Sequence, residues 1–180
     1  MKRFLVLLLL FINTAFSQEI TIIGDSLTVG AEKYLRYYFP NSVIDAKVGR
    51  KFQETIDRII DLESKGLLKD VVVVALGTNG NFTVEEGLQV IDYLQRKNKK
   101  IIFINAKVPR WWERDVNYTY EELKRLRPDI TVIDWKTISE IVCSRNDIKE
   151  CFKNDGYHLT DTGSHLFSYI IYKYVNEHAN

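Results

Sequence analysis

The amino-acid sequence predicts one α/β domain, in which a doubly wound parallel sheet of about five strands lies between two layers of helices. Two observations predict this three-layer fold. Short runs rich in β-branched and aliphatic residues recur along the chain, and amphipathic stretches of helical length separate them, which is the alternation typical of parallel sheets. The run VVVVAL, residues 71–76, is apolar on both faces, as expected for a central strand covered by helices on both sides.

The predicted strands begin near the amino terminus and continue to the last quarter of the chain. In order, they are EITIIG, SVIDAK, DVVVVALG, KIIFINAK and ITVIDW, at residues 19–24, 42–47, 70–77, 100–107 and 130–135. Helical stretches alternate with them, at residues 28–39, 53–66, 83–97, 117–127 and 160–178.

Local signals support the individual helices. Apolar spacing in the first places Val29, Tyr38 and either Tyr34 or Leu35 on an inner stripe. The third opens with a threonine and a glutamate, at positions 83 and 86, which have the spacing of a capping box. The fourth ends at Pro128, because proline cannot continue a helix.

The first 17 residues have the features of a secretory signal. Two basic residues precede an apolar run, residues 4–12, and Ala-Phe-Ser at 15–17 suits cleavage before Gln18. The run is too short to span a bilayer. We therefore expect a signal peptide over residues 1–17, a domain over residues 18–180, and a protein exported to a periplasm or to the medium. An uncleaved signal-anchor is the alternative.

Charge and cysteine content argue against nucleic acid binding and against a metal site. With 25 Lys and Arg against 24 Asp and Glu, the net charge of +1 gives no electrostatic case for nucleic acid binding. Cys143 and Cys151 are the two cysteines, and in an oxidising compartment we expect them to form a disulfide. Metal binding by this pair is disfavoured, since no other Cys or His stands at ligand spacing.

Polar residues follow several of the predicted strands, where parallel sheets carry their working groups. Gly24-Asp25-Ser26 follows the first strand, Val48-Gly49-Arg50 the second and Gly77-Thr78-Asn79-Gly80 the third, and Asp155-Gly156-Tyr157-His158 precedes the last helix. A lone Gly-Asp-Ser is also ordinary turn and N-cap chemistry. The joint pattern is more specific, because a hydroxyl nucleophile needs a base, an orienting carboxylate and oxyanion donors.

These residues divide into the parts of a serine acyl-transfer site. Ser26 would be the nucleophile at a helix N-terminus. His158 would take its proton, and Asp155, three residues earlier, would fix the tautomer of that histidine. The oxyanion donors would be the backbone N–H groups of Ser26 and Gly49 together with the side-chain amide of Asn79. Such a mechanism needs no metal or organic cofactor.

The long loop after the fourth strand, VPRWWERDVN at residues 108–117, combines Arg110 with two tryptophans. Arginine and tryptophan recognise carboxylates or acetamides and sugar faces. We therefore expect Arg110 and Trp111 to bind substrate. For Trp112, packing against a neighbouring loop is an equally good interpretation.

The four blocks GDS, the glycine after the second strand, GTN and DGYH resemble those of the SGNH (GDSL-type) hydrolase superfamily, in order and spacing over residues 18–180. More narrowly, IDAKVGRKF, VVVALGTNG, NAKVPRWWERDVN and VIDWKTIS resemble the extracytoplasmic SGNH domain of peptidoglycan O-acetyltransferases. The resemblance implies a flavodoxin-like fold, a triad of Ser26, Asp155 and His158, and an oxyanion hole with Gly49 and Asn79. In those relatives the block around Gly49 varies.

These observations predict an exported serine esterase that cleaves small acyl esters, most often O-acetyl groups on a cell-envelope or extracellular glycan. One alternative is an O-acetyltransferase that moves the acetyl group to a peptidoglycan or polysaccharide hydroxyl, served by a separate membrane acyltransferase. A second is a glycan-binding module that has lost catalysis. A lipid esterase or thioesterase is less favoured, since no long apolar loop is available to line an acyl-chain tunnel.

Overall fold

The computed structural model of the protein describes residues 18–144 and 151–178. Its sheet has five parallel strands in the order β2-β1-β3-β4-β5. In chain order these are β1 (Ile20–Gly24), β2 (Val43–Ala46), β3 (Val71–Ala75), β4 (Lys100–Ile104) and β5 (Thr131–Ile133). The predicted doubly wound fold is confirmed, whereas the signal predicted over residues 1–17 lies outside the described residues.

Helices cover both faces of the sheet. They are α1 (Ser26–Tyr38), α2 (Thr55–Ser64), α3 (Val84–Arg96), α4 (Glu113–Leu126), α5 (Trp135–Cys143) and α6 (Asp161–His178). Alternate residues of β1 point to opposite sides: Ile23 packs with α2, α3 and α4, while Ile20 and Ile22 pack with α1 and α6. Among the described residues no helix is both long enough and apolar enough to cross a membrane.

The structure corrects three details of the predicted elements. Helix α5 lies where no helix was expected, because the strand run ends at Ile133 and the side chain of Asp134 accepts a hydrogen bond from Thr137 N–H at 3.1 Å. Helix α4 starts at Glu113, four residues before the predicted start. Val29 is 39% exposed, whereas the predicted Leu35 is buried and Tyr38 packs partly buried against the core; the remaining inner residues of α1 are Leu27, Thr28 and Ala31.

The predicted disulfide is present. Cys143, the last residue of α5, is bonded to Cys151 with their Cα atoms 5.8 Å apart. Phe152 and Leu159 then form an antiparallel bridge, and Lys153 N–H donates to His158 O at 2.7 Å. The segment 151–160 is therefore a short hairpin, and the disulfide anchors its first residue to α5.

Candidate active site

Ser26 lies at the point where β1 turns into α1. The side chain of Asp25 caps this helix, accepting a hydrogen bond from Leu27 N–H at 3.0 Å. A Cβ on residue 24 would lie 1.9 Å from Thr28 Oγ1, so only glycine lets the first turn of α1 pack so closely on the strand end. The turn therefore fixes Ser26 as the first residue of the helix, half-buried.

The hairpin 151–160 brings His158 to Ser26. The Oγ atom of Ser26 lies 3.0 Å from Nε2 of His158, and Nδ1 of the same ring lies 2.8 Å from Oδ2 of Asp155. The side chains of His158 and Asp155 are 33% and 42% exposed, so solvent reaches them. These contacts are the arrangement that general-base activation of a serine hydroxyl requires.

Asp155 is held as a carboxylate by the hairpin itself. Its Oδ1 accepts hydrogen bonds from the backbone N–H groups of Tyr157 and His158, at 3.1 and 2.9 Å. Desolvation favours the protonated form, but the hydrogen bonds from the His158 ring and from both N–H groups outweigh it and lower the pKa of Asp155 to about 2. The carboxylate is therefore charged at neutral pH and can stabilise an imidazolium.

The residues expected to donate to an oxyanion belong to one hydrogen-bonded cluster. Asn79 Nδ2 lies 3.1 Å from Arg50 O and 3.5 Å from Oδ2 of Asp25, so the loop after β3 reaches the residue next to Ser26. Gly49 directly precedes Arg50 and has a φ of +77°, the left-handed conformation that glycine adopts without strain. The loops after β1, β2 and β3 are thereby joined.

Arg50 and Asp45 are functional candidates that the sequence reasoning missed. The side chain of Arg50 is 3% exposed, and its Nη2 lies 2.7 Å from Oδ1 of Asp45 on β2. Arg58 Nε binds the other oxygen of Asp45 at 2.7 Å. An aspartate inside the apolar strand run SVIDAK was the available signal, because a largely buried carboxylate requires a cationic or hydrogen-bonding partner.

Asp25 is a second buried carboxyl beneath the site. It is 0% exposed, and burial raises its pKa to about 6, although hydrogen bonds from Leu27 N–H and Thr78 and the proximity of His158 act in the opposite direction. Asp25 thus holds the turn, as the sequence predicted for it.

The loop 108–112 lies beside the hairpin. A Cβ on Gly156 would be 3.6 Å from Pro109 Cγ, and the guanidinium of Arg110 is 6.0 Å from the ring centre of Tyr157. Trp111 is 75% exposed. Trp112 is half-buried and packs against the core, the packing interpretation that the sequence left open.

The other two histidines have local partners outside this cluster. His165 Nε2 lies 2.8 Å from the hydroxyl of Tyr38, and His178 Nδ1 lies 3.0 Å from Tyr174 O. Within residues 18–144 and 151–178, no group of three or more His, Cys, Asp or Glu side chains is arranged to hold a metal ion.

Similarity to known proteins extends over most of the chain. The peptidoglycan O-acetyltransferase OatA of Listeria monocytogenes is 32% identical over 166 residues, which covers 92% of this chain and 25% of that protein. The chain therefore spans about a quarter of the length of this relative. No protein-family model matches this chain.

Two solved structures share the fold. The C-terminal catalytic domain of Streptococcus pneumoniae OatA, solved with a methylsulfonyl adduct, superposes with a TM-score of 0.74 at 19% identity, covering 90% of this chain and 94% of that chain. A family 3 carbohydrate esterase of Clostridium thermocellum superposes with a TM-score of 0.67 at 18% identity, covering 89% and 96%. At these identities the likeness concerns the fold alone.

Proposed function

We propose that this chain, which is homologous to part of the peptidoglycan O-acetyltransferases, is an SGNH (GDSL-type) hydrolase that transfers small acyl groups through a covalent serine ester. The observation that carries the proposal is the continuous contact from Ser26 Oγ through the His158 ring to Asp155, at 3.0 and 2.8 Å.

In the first half-reaction, Ser26 Oγ attacks the carbonyl carbon of an acetyl ester while His158 Nε2 accepts the hydroxyl proton. Asp155 stabilises the resulting imidazolium through Nδ1–H. The tetrahedral oxyanion is stabilised by backbone N–H groups of Ser26 and Gly49 and by the Asn79 amide, each donor contributing about 3 to 4 kcal/mol. Collapse breaks the ester C–O bond, and the leaving alkoxide takes the proton from His158.

The second half-reaction decides between hydrolysis and transfer. His158 removes a proton from an acceptor hydroxyl, which attacks the acetyl-serine and regenerates Ser26. Water as the acceptor gives an esterase that releases acetate. The exposure of the triad side chains favours this outcome, since solvent can reach the intermediate.

A glycan hydroxyl as the acceptor gives an O-acetyltransferase. The name of the Listeria relative favours this second candidate. Transfer requires an acetyl donor outside the cytoplasm, and we propose that a separate membrane acyltransferase supplies it.

The test is to incubate the protein with an acetyl ester donor, with and without a chitooligosaccharide, and to quantify acetylated sugar and free acetate. Ser26→Ala should lower both by at least about 10⁴-fold, and a sulfonyl fluoride should label Ser26.

The matched control is Ser64→Ala at the exposed end of α2, which should behave as the parent protein. Acetate without acetylated sugar supports the esterase, and acetylated sugar supports the transferase. Failure to label Ser26, with no turnover, would favour the inactive glycan-binding module.

A further inference from the structure

We propose that Arg50 is a positioning residue for the Asn79 amide as an oxyanion donor, a role that rests on the proposed acyl-transfer function. Its side chain is 3% exposed and lies where the loops after β1, β2 and β3 meet. None of its contacts reaches the Ser26–His158 pair directly, so its effect would act through the groups that it holds.

The guanidinium of Arg50 ties the ends of two strands together. Nη1 donates to the carbonyl oxygens of Gly24, at 3.4 Å, and of Asp45. Nη2 donates to Oδ1 of Asp45 at 2.7 Å. Gly24 is the last residue of β1, but its contact is long, so the guanidinium is held mainly by Asp45 on β2.

The main chain of Arg50 closes its own turn and binds the Asn79 amide. Its N–H bonds to Lys47 O at 3.2 Å, closing the turn that contains Gly49. Its carbonyl oxygen accepts from Asn79 Nδ2 at 3.1 Å. A side-chain amide carries two N–H groups, so this bond sets the rotation of the amide by holding one of them.

The second N–H of Asn79 is only weakly held. The distance from Nδ2 to Oδ2 of Asp25 is 3.5 Å, at the outer limit of a hydrogen bond. A developing oxyanion can therefore compete for this N–H at little cost. The carbonyl of Arg50 thus orients the amide, and the guanidinium keeps that carbonyl in place.

Arg58 provides a matched control. It binds the same carboxylate as Arg50, through Oδ2 of Asp45 at 2.7 Å, but among the described residues it has no hydrogen bond to Gly24 or Asn79. Arg58→Lys therefore perturbs the shared ion pair without touching the donor loops.

The experiment measures kcat and KM for an acetyl nitrophenyl ester in Arg50→Lys, Arg58→Lys, Asn79→Ala and the double variant of Arg50→Lys with Asn79→Ala. A lysine keeps the charge but loses the fork, so we expect kcat to fall about 10- to 100-fold, part of the 10²- to 10³-fold that loss of a whole donor costs. KM should change less than about threefold, because a group acting on the transition state alone leaves ground-state binding intact. Arg58→Lys should retain the parent kcat.

The double variant distinguishes positioning from general destabilisation. If Arg50 acts through Asn79, adding Arg50→Lys to Asn79→Ala should lower kcat by less than about threefold further. Losses that multiply, or an equal loss in Arg58→Lys, would overturn the proposal. Should Arg50→Lys lack a cooperative melting transition, Asp45→Asn replaces it, with the same expected loss of kcat and the same non-additivity.

Labelling and turnover of the parent protein distinguish failure of this proposal from failure of the proposed function. Absence of Ser26 labelling and turnover in the parent refutes acyl transfer itself. Normal activity in both Arg50→Lys and Asp45→Asn refutes only the positioning role.

Discussion

Ser26 lies directly after a buried carboxyl group, which is unusual because burial disfavours a charge. Asp25 caps α1 and also accepts from Thr78 in the loop after β3. These hydrogen bonds offset only part of the effect of burial, since the pKa of Asp25 is about 6 in the folded protein against the ordinary value of 3.8. The carboxyl that holds the nucleophile turn is therefore also a source of pH-dependent stability.

We predict that the contribution of Asp25 to the free energy of unfolding falls as the pH rises from 3.8 to about 6. A raised pKa means that the folded protein holds the Asp25 proton more tightly than the unfolded chain, so the stabilisation present below the lower value is lost above the higher one. Asp25→Asn removes this titration while keeping a good capping residue. Its stability relative to the parent should rise by roughly 2 to 3 kcal/mol between pH 4 and 7.

Urea unfolding of both proteins across this pH range provides the measurement. Asp57→Asn, at an exposed position on α2, is the control and should track the parent. The predicted titration is contradicted if the difference in free energy of unfolding between Asp25→Asn and the parent is the same at both ends of the pH range.

At the scale of the elements, the hairpin 151–160 shows why the contact between His158 and Asp155 could be predicted from the sequence. Their spacing of three residues lets one short turn supply the carboxylate, its N–H donors and the ring. A Cβ on Gly163 would lie 1.9 Å from Cys151 O, so α6 packs directly on the start of the hairpin. The glycine and the disulfide together hold this element against the domain.

Other parts of the site lacked such a local signal. The aspartate inside SVIDAK indicated that Asp45 needs a partner, but nothing in the spacing identified Arg50 as that partner. Helix α5 was missed because its nine residues directly follow an apolar strand run, where period-based reasoning favours a longer strand. Local order and motif spacing were therefore predictable, whereas contacts between distant strand ends required the fold.

The loop 108–112 is the element that we predict to contact the glycan. Arg110→Ala and Trp111→Ala should each raise KM for an acetylated glycan roughly 5- to 10-fold, as expected for the loss of about 1 to 1.5 kcal/mol of binding. Their kcat/KM for a small nitrophenyl acetate should stay within about twofold, because that substrate lacks the glycan that the loop is predicted to bind.

An exposed arginine and an exposed aromatic residue on α4 provide the controls. Arg114→Ala and Tyr118→Ala, whose side chains are also exposed, should leave both substrates unaffected. If neither loop variant changes KM for the glycan ester, the substrate role of Arg110 and Trp111 is wrong.

For the molecule as a whole, the loops after β1, β2 and β3 meet at one edge of the parallel sheet, and the hairpin 151–160 adds His158 and Asp155 there. The sequence predicted this arrangement because β3 is apolar on both faces and helices alternate with strands throughout. The disulfide links the start of the hairpin to α5, and such bonds persist mainly in oxidising compartments. The disulfide and the proposed chemistry on an extracellular glycan therefore both agree with the predicted export.

If the protein is exported, its mature form should be well defined. Expressed with residues 1–17 in a bacterial host, the protein should be recovered outside the cytoplasm, begin at Gln18 and contain no free thiol, as intact mass with and without alkylation would show. A version beginning at Gln18 should stay in the cytoplasm with Cys143 and Cys151 reduced, and should be less stable by about 2 to 3 kcal/mol than its oxidised form, as expected for a loop of this size. Membrane-bound protein that retains Met1 would instead indicate that the first 17 residues act as an uncleaved signal-anchor.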